Sequence, residues 1–387
     1  MQSFNSEFIR LSAIANYCKR NRTFESAPLR SIYILINKKL ETQKIMKTIF
    51  KLLTLIIMST TANAQVKDYL TDPQLDRGTK EFLKALNSGD GPALETLSKE
   101  DARQVLVGAQ DAVEVDLSGI QESEKTINAD GYTVKLNIVR PEGADEKLPV
   151  FIFIHGGGWI LGDYPTHKRM VRELVVRTGA VGVFVNYSPS PEKQFPTAIN
   201  EIYAATKWVA DNGDEINVDG SKLGIIGNSV GGNMSTVTTL KAKADGRSDM
   251  IKVQVLLWPV TDSSFEQASY QTYGEDRFLT TSIMKWMWDQ YTTDPKERQS
   301  IYASPLNASI EELKGLPPAF IHVAESDILR DEAEAYGRKL DEAGVPTATV
   351  RYNGMIHDWG LLHFLKDLPS TVSVFDNASY ELKKYLF

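Results

Sequence analysis

Cysteine occurs once in the 387 residues, at Cys18. A disulfide framework and a cysteine-ligated metal are therefore excluded as the basis of the fold. Long hydrophobic runs are also missing. No stretch approaches the roughly 18 consecutive apolar residues of a membrane span, so stable membrane insertion is not expected. Basic residues are outnumbered, 43 Lys and Arg against 50 Asp and Glu, for a formal charge of −7. A nucleic-acid partner is not expected of such a chain. Internal repeats and low-complexity tracts are absent too. What is present is ordinary for a globular protein, with 42% apolar and 24% charged residues.

The charge is unevenly placed. Residues 1–64 hold ten Lys or Arg and three Glu, which leaves 33 basic and 47 acidic residues beyond them, a formal charge of −14. Within that basic segment, Met46 begins a pattern of its own. Lys47 and Lys51 precede the apolar run from Leu52 to Met58, and Ala62-Asn63-Ala64 follows as a small-residue cleavage site. That order is the layout of a secretory signal peptide. The expectation is a signal peptide over 46–64, preceded by an over-extended gene start over 1–45, and a secreted or periplasmic mature chain beginning near Gln65.

Two amphipathic helices are expected over 74–87 and 99–110, with Ser98 and Asp101 as a capping pair for the second. They form an N-terminal cap segment, 65–115. Alternation at Val134, Leu136 and Ile138 after Asp130-Gly131 signals a hairpin. From there to residue 387 the pattern is α/β. Val150 to Ile154 is continuously apolar, as in a parallel strand buried on both faces. Further strands are expected at Val181–Val185, Leu223–Ile226, Val253–Trp258, Ala319–Val323 and Thr347–Tyr352. Helical patterns lie near 166–177, 197–211, 230–243, 331–343 and 373–386. Alternating strands and helices predict a mostly parallel central sheet flanked by helices. About 260–316 interrupts the alternation with an aromatic helix, Ser282–Tyr291. Such an insertion over the strand ends forms a lid or pocket wall.

Gly227-Asn228-Ser229-Val230-Gly231 fits G-x-S-x-G between a strand and a helix, the context in which a serine is lifted clear of a sheet. His155-Gly156-Gly157-Gly158-Trp159 follows the most apolar strand. Its glycines leave N–H groups bare, and such donors stabilise the oxyanion of a tetrahedral intermediate. Gly157, Gly158 and Val230 are the expected oxyanion donors, with Gly156 shaping the turn. It lacks the spacing of a phosphate-binding loop. Of five histidines, His155 sits in the glycine loop, His322 inside a strand, and His167 and His363 in helical or surface-like context. His357 follows the last strand, where α/β sheets place their chemistry, and is the expected base. The acid should stand between serine and histidine in the chain. Asp327, just after a strand, is preferred to Asp331, which is better placed to open the next helix.

Together these segments resemble the bacterial hormone-sensitive lipase family of α/β-hydrolases, through HGGGW at 155–159, GNSVGG at 227–232, AESDILRDEAEAYGRKL at 324–340 and GMIHDW at 354–359. A weaker likeness lies in Tyr187-Ser188-Pro189-Ser190-Pro191-Glu192. The resemblance runs from about Asp116 to the end. It implies an α/β-hydrolase fold with a helical cap, hydrolysis of short- to medium-chain carboxylic esters, and a triad of Ser229, Asp327 and His357. It implies no cofactor and no metal. The partner is a small-molecule ester, and a homodimer is a candidate assembly. Gly156, Trp159, Asn228, Trp258 and Trp286 are expected to contribute to substrate binding, with Trp288 as a further candidate. The chain departs from the family in Asn228, usually acidic, in Val230, usually alanine, and in Ser188, usually arginine. Two other readings stay open: a peptidase or amidase using the same triad, and a hydrolase-derived binding protein that has kept the pocket.

Overall fold

The computed structural model describes residues 68–89 and 91–387, all within one unit, Val66–Phe387. The expected signal peptide and gene-start segment lie outside the described residues.

The hairpin comes first. Strand β1 (Ile120–Ala129) turns through Asp130 and Gly131, at φ 51° and 82°, into β2 (Tyr132–Pro141). Two successive positive φ values match the right-handed twist of the strands they join. There follow β3 (Leu148–Ile154), β4 (Val181–Asn186), β5 (Val218–Asn228), β6 (Ile251–Leu257), β7 (Ala319–Ser326) and β8 (Thr347–Ile356). The sheet runs β1-β2-β4-β3-β5-β6-β7-β8, antiparallel at β1–β2–β4 and parallel from β4 onward. All seven residues of β3 are buried, because helices cover both faces there. β8 extends four residues beyond its expected end, so Asn353 to Ile356 is strand rather than loop.

In chain order the helices of the described residues are α1 (Arg77–Asn87), α2 (Lys99–Asp111), α3 (Tyr164–Thr178), α4 (Thr197–Asn212), α5 (Val230–Ala244), α6 (Ala268–Tyr273), α7 (Thr281–Tyr291), α8 (Pro295–Gln299), α9 (Ile310–Leu313), α10 (Arg330–Glu342) and α11 (Pro369–Leu386). α3 packs on α11 against one face of the sheet, while α4, α5 and α10 cover the other. Ser98 caps α2, accepting from the Asp101 N–H at 3.1 Å.

The stretch between β6 and β7 carries α6 to α9. Its anchor is buried: Glu332 on α10 accepts from the N–H groups of Thr261 and Asp262 at 2.7 and 3.1 Å and from the Tyr270 hydroxyl at 3.0 Å. The chain leaves β3 for β4 on one side and returns to β5 on the other. Order reverses between β3 and β5, and a crevice opens outside their C-terminal ends. The glycine loop leaves β3 there, and Ser229 leaves β5.

Candidate active site

Ser229 occupies a tight corner. Its φ of 55° and ψ of −121° lie outside the usual regions for a residue with a side chain, a strain that persists only where the surroundings enforce it. Here they do. The Ser229 N–H donates to Leu257 O at 2.8 Å, and its carbonyl accepts from Asn233 and Val260. The flanking glycines have no room for side chains: a Cβ on Gly227 would meet the backbone of Gly231, and one on Gly231 the backbone of Ile154. The corner places the hydroxyl at the start of α5.

The Ser229 Oγ stands 3.0 Å from Nε2 of His357. Nδ1 of His357 lies 2.7 Å from Asp327 Oδ2, and the other Asp327 oxygen accepts from the Leu329 N–H at 2.9 Å. All three side chains are buried. The structure thus brings together residues 98 and 30 positions apart in the sequence. Asp331 is not part of this line. It lies in the first turn of α10, where it accepts from the Ser269 N–H at 2.9 Å and pairs with Arg330.

The histidines differ electrostatically. Burial pushes His155 and His322 down to about 4, and it also lowers His167 and His363. His167 lies in a helix, as its context suggested, and both His167 and His363 are buried rather than at the surface. His155 is sandwiched between Phe184 and Tyr187, with ring centroids at 5.3 and 4.1 Å. His357 alone among the five moves up. Burial works against its charged form, but the carboxylates of Asp327 and Asp358 together with the Asp327 hydrogen bond outweigh that penalty. An imidazole that takes a proton readily, in contact with a hydroxyl, is suited to general-base work.

Asp358 stands out against the sequence reading, which assigned it no role. Its carboxylate is 3.7 Å from His357 Nε2. One of its oxygens accepts from the Trp258 indole N–H at 2.6 Å and from Asn228 Nδ2 at 3.1 Å. Asn228 in turn accepts from the Gly156 N–H at 2.9 Å. The aspartate directly after the histidine was the available signal, but its turn toward Nε2 depends on the left-handed φ of 57° at Asp358.

A cavity of about 70 Å³ adjoins Ser229 and His357. Gly157 and Gly158 line it, at φ 103° and 62°. Neither gives its N–H to a backbone acceptor among the described residues. The side chain of Val230 is wholly buried and does not line the cavity. Its N–H, at the first position of α5, has no partner within the helix.

The remaining walls are Leu94, Leu106, Leu161, Phe278, Leu279, Ile283, Met287 and Asp358. None was named residue by residue, but Phe278, Leu279, Ile283 and Met287 lie in the insertion expected to form a lid or pocket wall, and Leu94 and Leu106 in the expected cap segment. Conversely, Gly156, Trp159, Asn228, Trp258 and Trp286 do not line the cavity. Trp159 stacks on Tyr291 at 4.1 Å and meets Trp288 at 4.8 Å, all three buried as core. Trp258 packs on Trp359. Trp286 holds the Lys99 ammonium 4.4 Å above its ring, joining α7 to α2. Gly156 and Asn228 support the loop behind the cavity. Among the described residues no group of three His, Cys, Asp or Glu is arranged to hold a metal, and no helix is long and apolar enough to cross a membrane.

Comparison with known proteins agrees with this geometry. The family model described as the α/β hydrolase fold matches residues 151–361. A thermostable esterase from Pseudomonas putida is 57% identical, with a TM-score of 0.81, over 82% of this chain and 99% of its own. An α/β hydrolase of Acanthamoeba polyphaga mimivirus is 35% identical over 80% of this chain and 88% of its own. An ethyl acetate hydrolase of Pseudomonas putida is 31% identical over 59% of this chain and 72% of its own.

Proposed function

The chain belongs to the α/β-hydrolase fold family, and on that premise we propose that it is a serine carboxylesterase for short- to medium-chain carboxylic esters. The observation that carries this reading is the unbroken line from Asp327 through His357 to Ser229, ending in an apolar cavity beside bare glycine N–H groups. Ser229 attacks the ester carbonyl as Nε2 of His357 takes its proton. Asp327 keeps the imidazole oriented and stabilises the imidazolium. Gly157, Gly158 and Val230 donate to the oxyanion, an effect worth about 3–4 kcal/mol per donor in the barrier. The imidazolium protonates the departing alcohol. Water, deprotonated by His357, then releases the acid from Ser229.

The size and walls of the cavity support small, uncharged substrates. Asp358 is the sole charged side chain in its lining apart from the base. Support also comes from relatives that carry the names esterase and ethyl acetate hydrolase. The test is Ser229→Ala, which should abolish hydrolysis of p-nitrophenyl acetate and labelling by a fluorophosphonate. Full activity in that variant rejects the mechanism.

Export is part of the proposal. Its support is the order of charge, apolar run and Ala62-Asn63-Ala64 in 46–64. N-terminal sequencing of the exported protein should read from near Gln65, and a mature chain beginning near Met1 would contradict it. Pairing of two copies through the edge strand β8, whose residues 348–351 are exposed, is the candidate dimer. A monomeric mass in solution would exclude it.

A further inference from the structure

The cavity beside Ser229 is small. Its volume is about 70 Å³, against about 300–1,000 Å³ for sites that enclose a drug-sized ligand. Leu94, Phe278 and Ile283 in its wall also line a second hollow of about 370 Å³. That groove lies on the outer side of the same three side chains, between the end of α1, the turn Leu94–Thr96, α2 and the start of α7.

The groove leaves apolar side chains in water. Leu86 and Val105, which line it, are 44% and 51% exposed. Helix α2 serves both hollows, with Leu106 facing the inner one and its neighbour Val105 the outer. The partition itself is under strain. Phe278 holds a left-handed φ of 73°, which a bulky residue adopts only at a cost. Glu95 and Asp276 are the charged residues in the groove lining, so an anionic ligand is disfavoured and a neutral alkyl chain is not.

We propose that the outer groove is a second substrate chamber, which receives the apolar portion of an ester too long for the inner cavity once Leu94, Phe278 and Ile283 part. Phe278 is then a specificity-determining residue. This rests on the ester-hydrolase reading above. A chain entering through the wall could belong to the acyl or to the alcohol side, and both have the same chemistry.

The experiment uses the whole protein with esters kept below their critical micelle concentrations. One series varies the acyl chain of p-nitrophenyl esters from acetate to decanoate, and the other varies the alcohol of acetate esters. Val105→Trp and Ala93→Trp, at exposed positions lining only the outer groove, fill the groove. In one of the two series the ratio of kcat/KM for the longest to the shortest ester should fall about tenfold, the scale of a lost methylene-sized pocket contact. Phe278→Ala should raise the same ratio. Unchanged ratios in both series, while hydrolysis persists, overturn the chamber and leave the esterase reading standing. No hydrolysis by the unsubstituted protein overturns both. A rate that rises only above the critical micelle concentration assigns the exposed side chains to a lipid–water interface and also overturns the chamber.

Discussion

Asn228 donates through Nδ2 to Asp358 at 3.1 Å while accepting the Gly156 N–H at 2.9 Å. One amide therefore connects the glycine loop to the carboxylate beside His357. The pairing requires a side chain with both a donor and an acceptor. Where the resembled family usually has an acidic residue, the amide of this chain makes both contacts at once.

Asn228→Asp replaces the donor with a second acceptor. Two carboxylates sharing a site push one pKa strongly upward, and a buried like-charge contact displaces one side chain or captures a proton. The expected result is a fall in kcat/KM of about 10- to 100-fold at pH 8, smaller at lower pH, as one carboxylate takes up a proton. Adding Asp358→Asn should restore most of the loss. A double variant no better than Asn228→Asp alone would show that the two positions act independently.

Asp358 also bears on the pH profile. His357 must be neutral to accept the Ser229 proton, and its pKa stands above the ordinary 6.5, with Asp358 among the causes that raise it. Activity should therefore appear on an acid limb lying above 6.5. Removing a negative charge lowers the proton affinity of a neighbouring imidazole. Asp358→Asn should accordingly move the acid limb of kcat/KM toward lower pH, read on p-nitrophenyl acetate across about pH 5 to 9. An upward displacement, or none, would remove Asp358 from the electrostatics of the base.

The sheet and the serine–acid–base order were legible because their signals are local. A continuous apolar run marks β3, and G-x-S-x-G can be recognised within five residues. The acid could be chosen over Asp331 from its distance to the strand end. The insertion and the cap segment that wall the cavity were legible, but the individual wall residues were not. Leu94, Leu106, Leu161, Phe278 and Met287 come from separate segments, and each looks like any other apolar residue. Hydrophobic pattern reports burial, not which buried surface borders a void. Tryptophans drew the prediction instead, and Trp159 and Trp258 proved to be core. The turn of Asp358 toward Nε2 was hidden for a related reason, since it depends on one backbone angle.

Two glycines should separate fold from catalysis. A Cβ on Gly231 would press into the backbone of Ile154 at the C-terminal end of β3, where the strand is paired on both sides. Gly231→Ala should cost about 3 kcal/mol or more, at the upper end for overpacking. A Cβ on Gly158 would instead meet the side chain of Met287, which is flexible and can move aside. Its φ of 62° adds a penalty of about 1–2 kcal/mol. Gly158→Ala should lose less stability in urea titration, yet lose about 100-fold in kcat as the donors shift from the oxyanion. Equal stability losses in the two variants would contradict this division.

The loop that supplies Phe278 and Leu279 to the cavity is held by a buried ion pair. Arg277 Nη2 lies 3.1 Å from Asp72 Oδ2, with side-chain exposures of 1% and 0%. Asp72 also accepts from the Gln74 N–H at 3.0 Å, so one carboxylate ties the segment before α1 to the wall of the site. Removing the Asp72 carboxylate takes one charged contact from a buried guanidinium and leaves a void at the Gln74 turn. Asp72→Ala should destabilise the protein by more than the roughly 1 kcal/mol of an exposed ion pair. Asp72→Asn keeps the acceptor for Gln74 and removes only the charge. It should lose most of the same stability if the ion pair dominates, and little if the turn does. Because Phe278 adjoins Arg277, the loosened wall should raise KM more than it lowers kcat, the Ser229–His357–Asp327 line being left intact. A loss below about 1 kcal/mol in the alanine variant, or a fall in kcat at constant KM, would show that the pair neither stabilises the fold nor shapes the cavity.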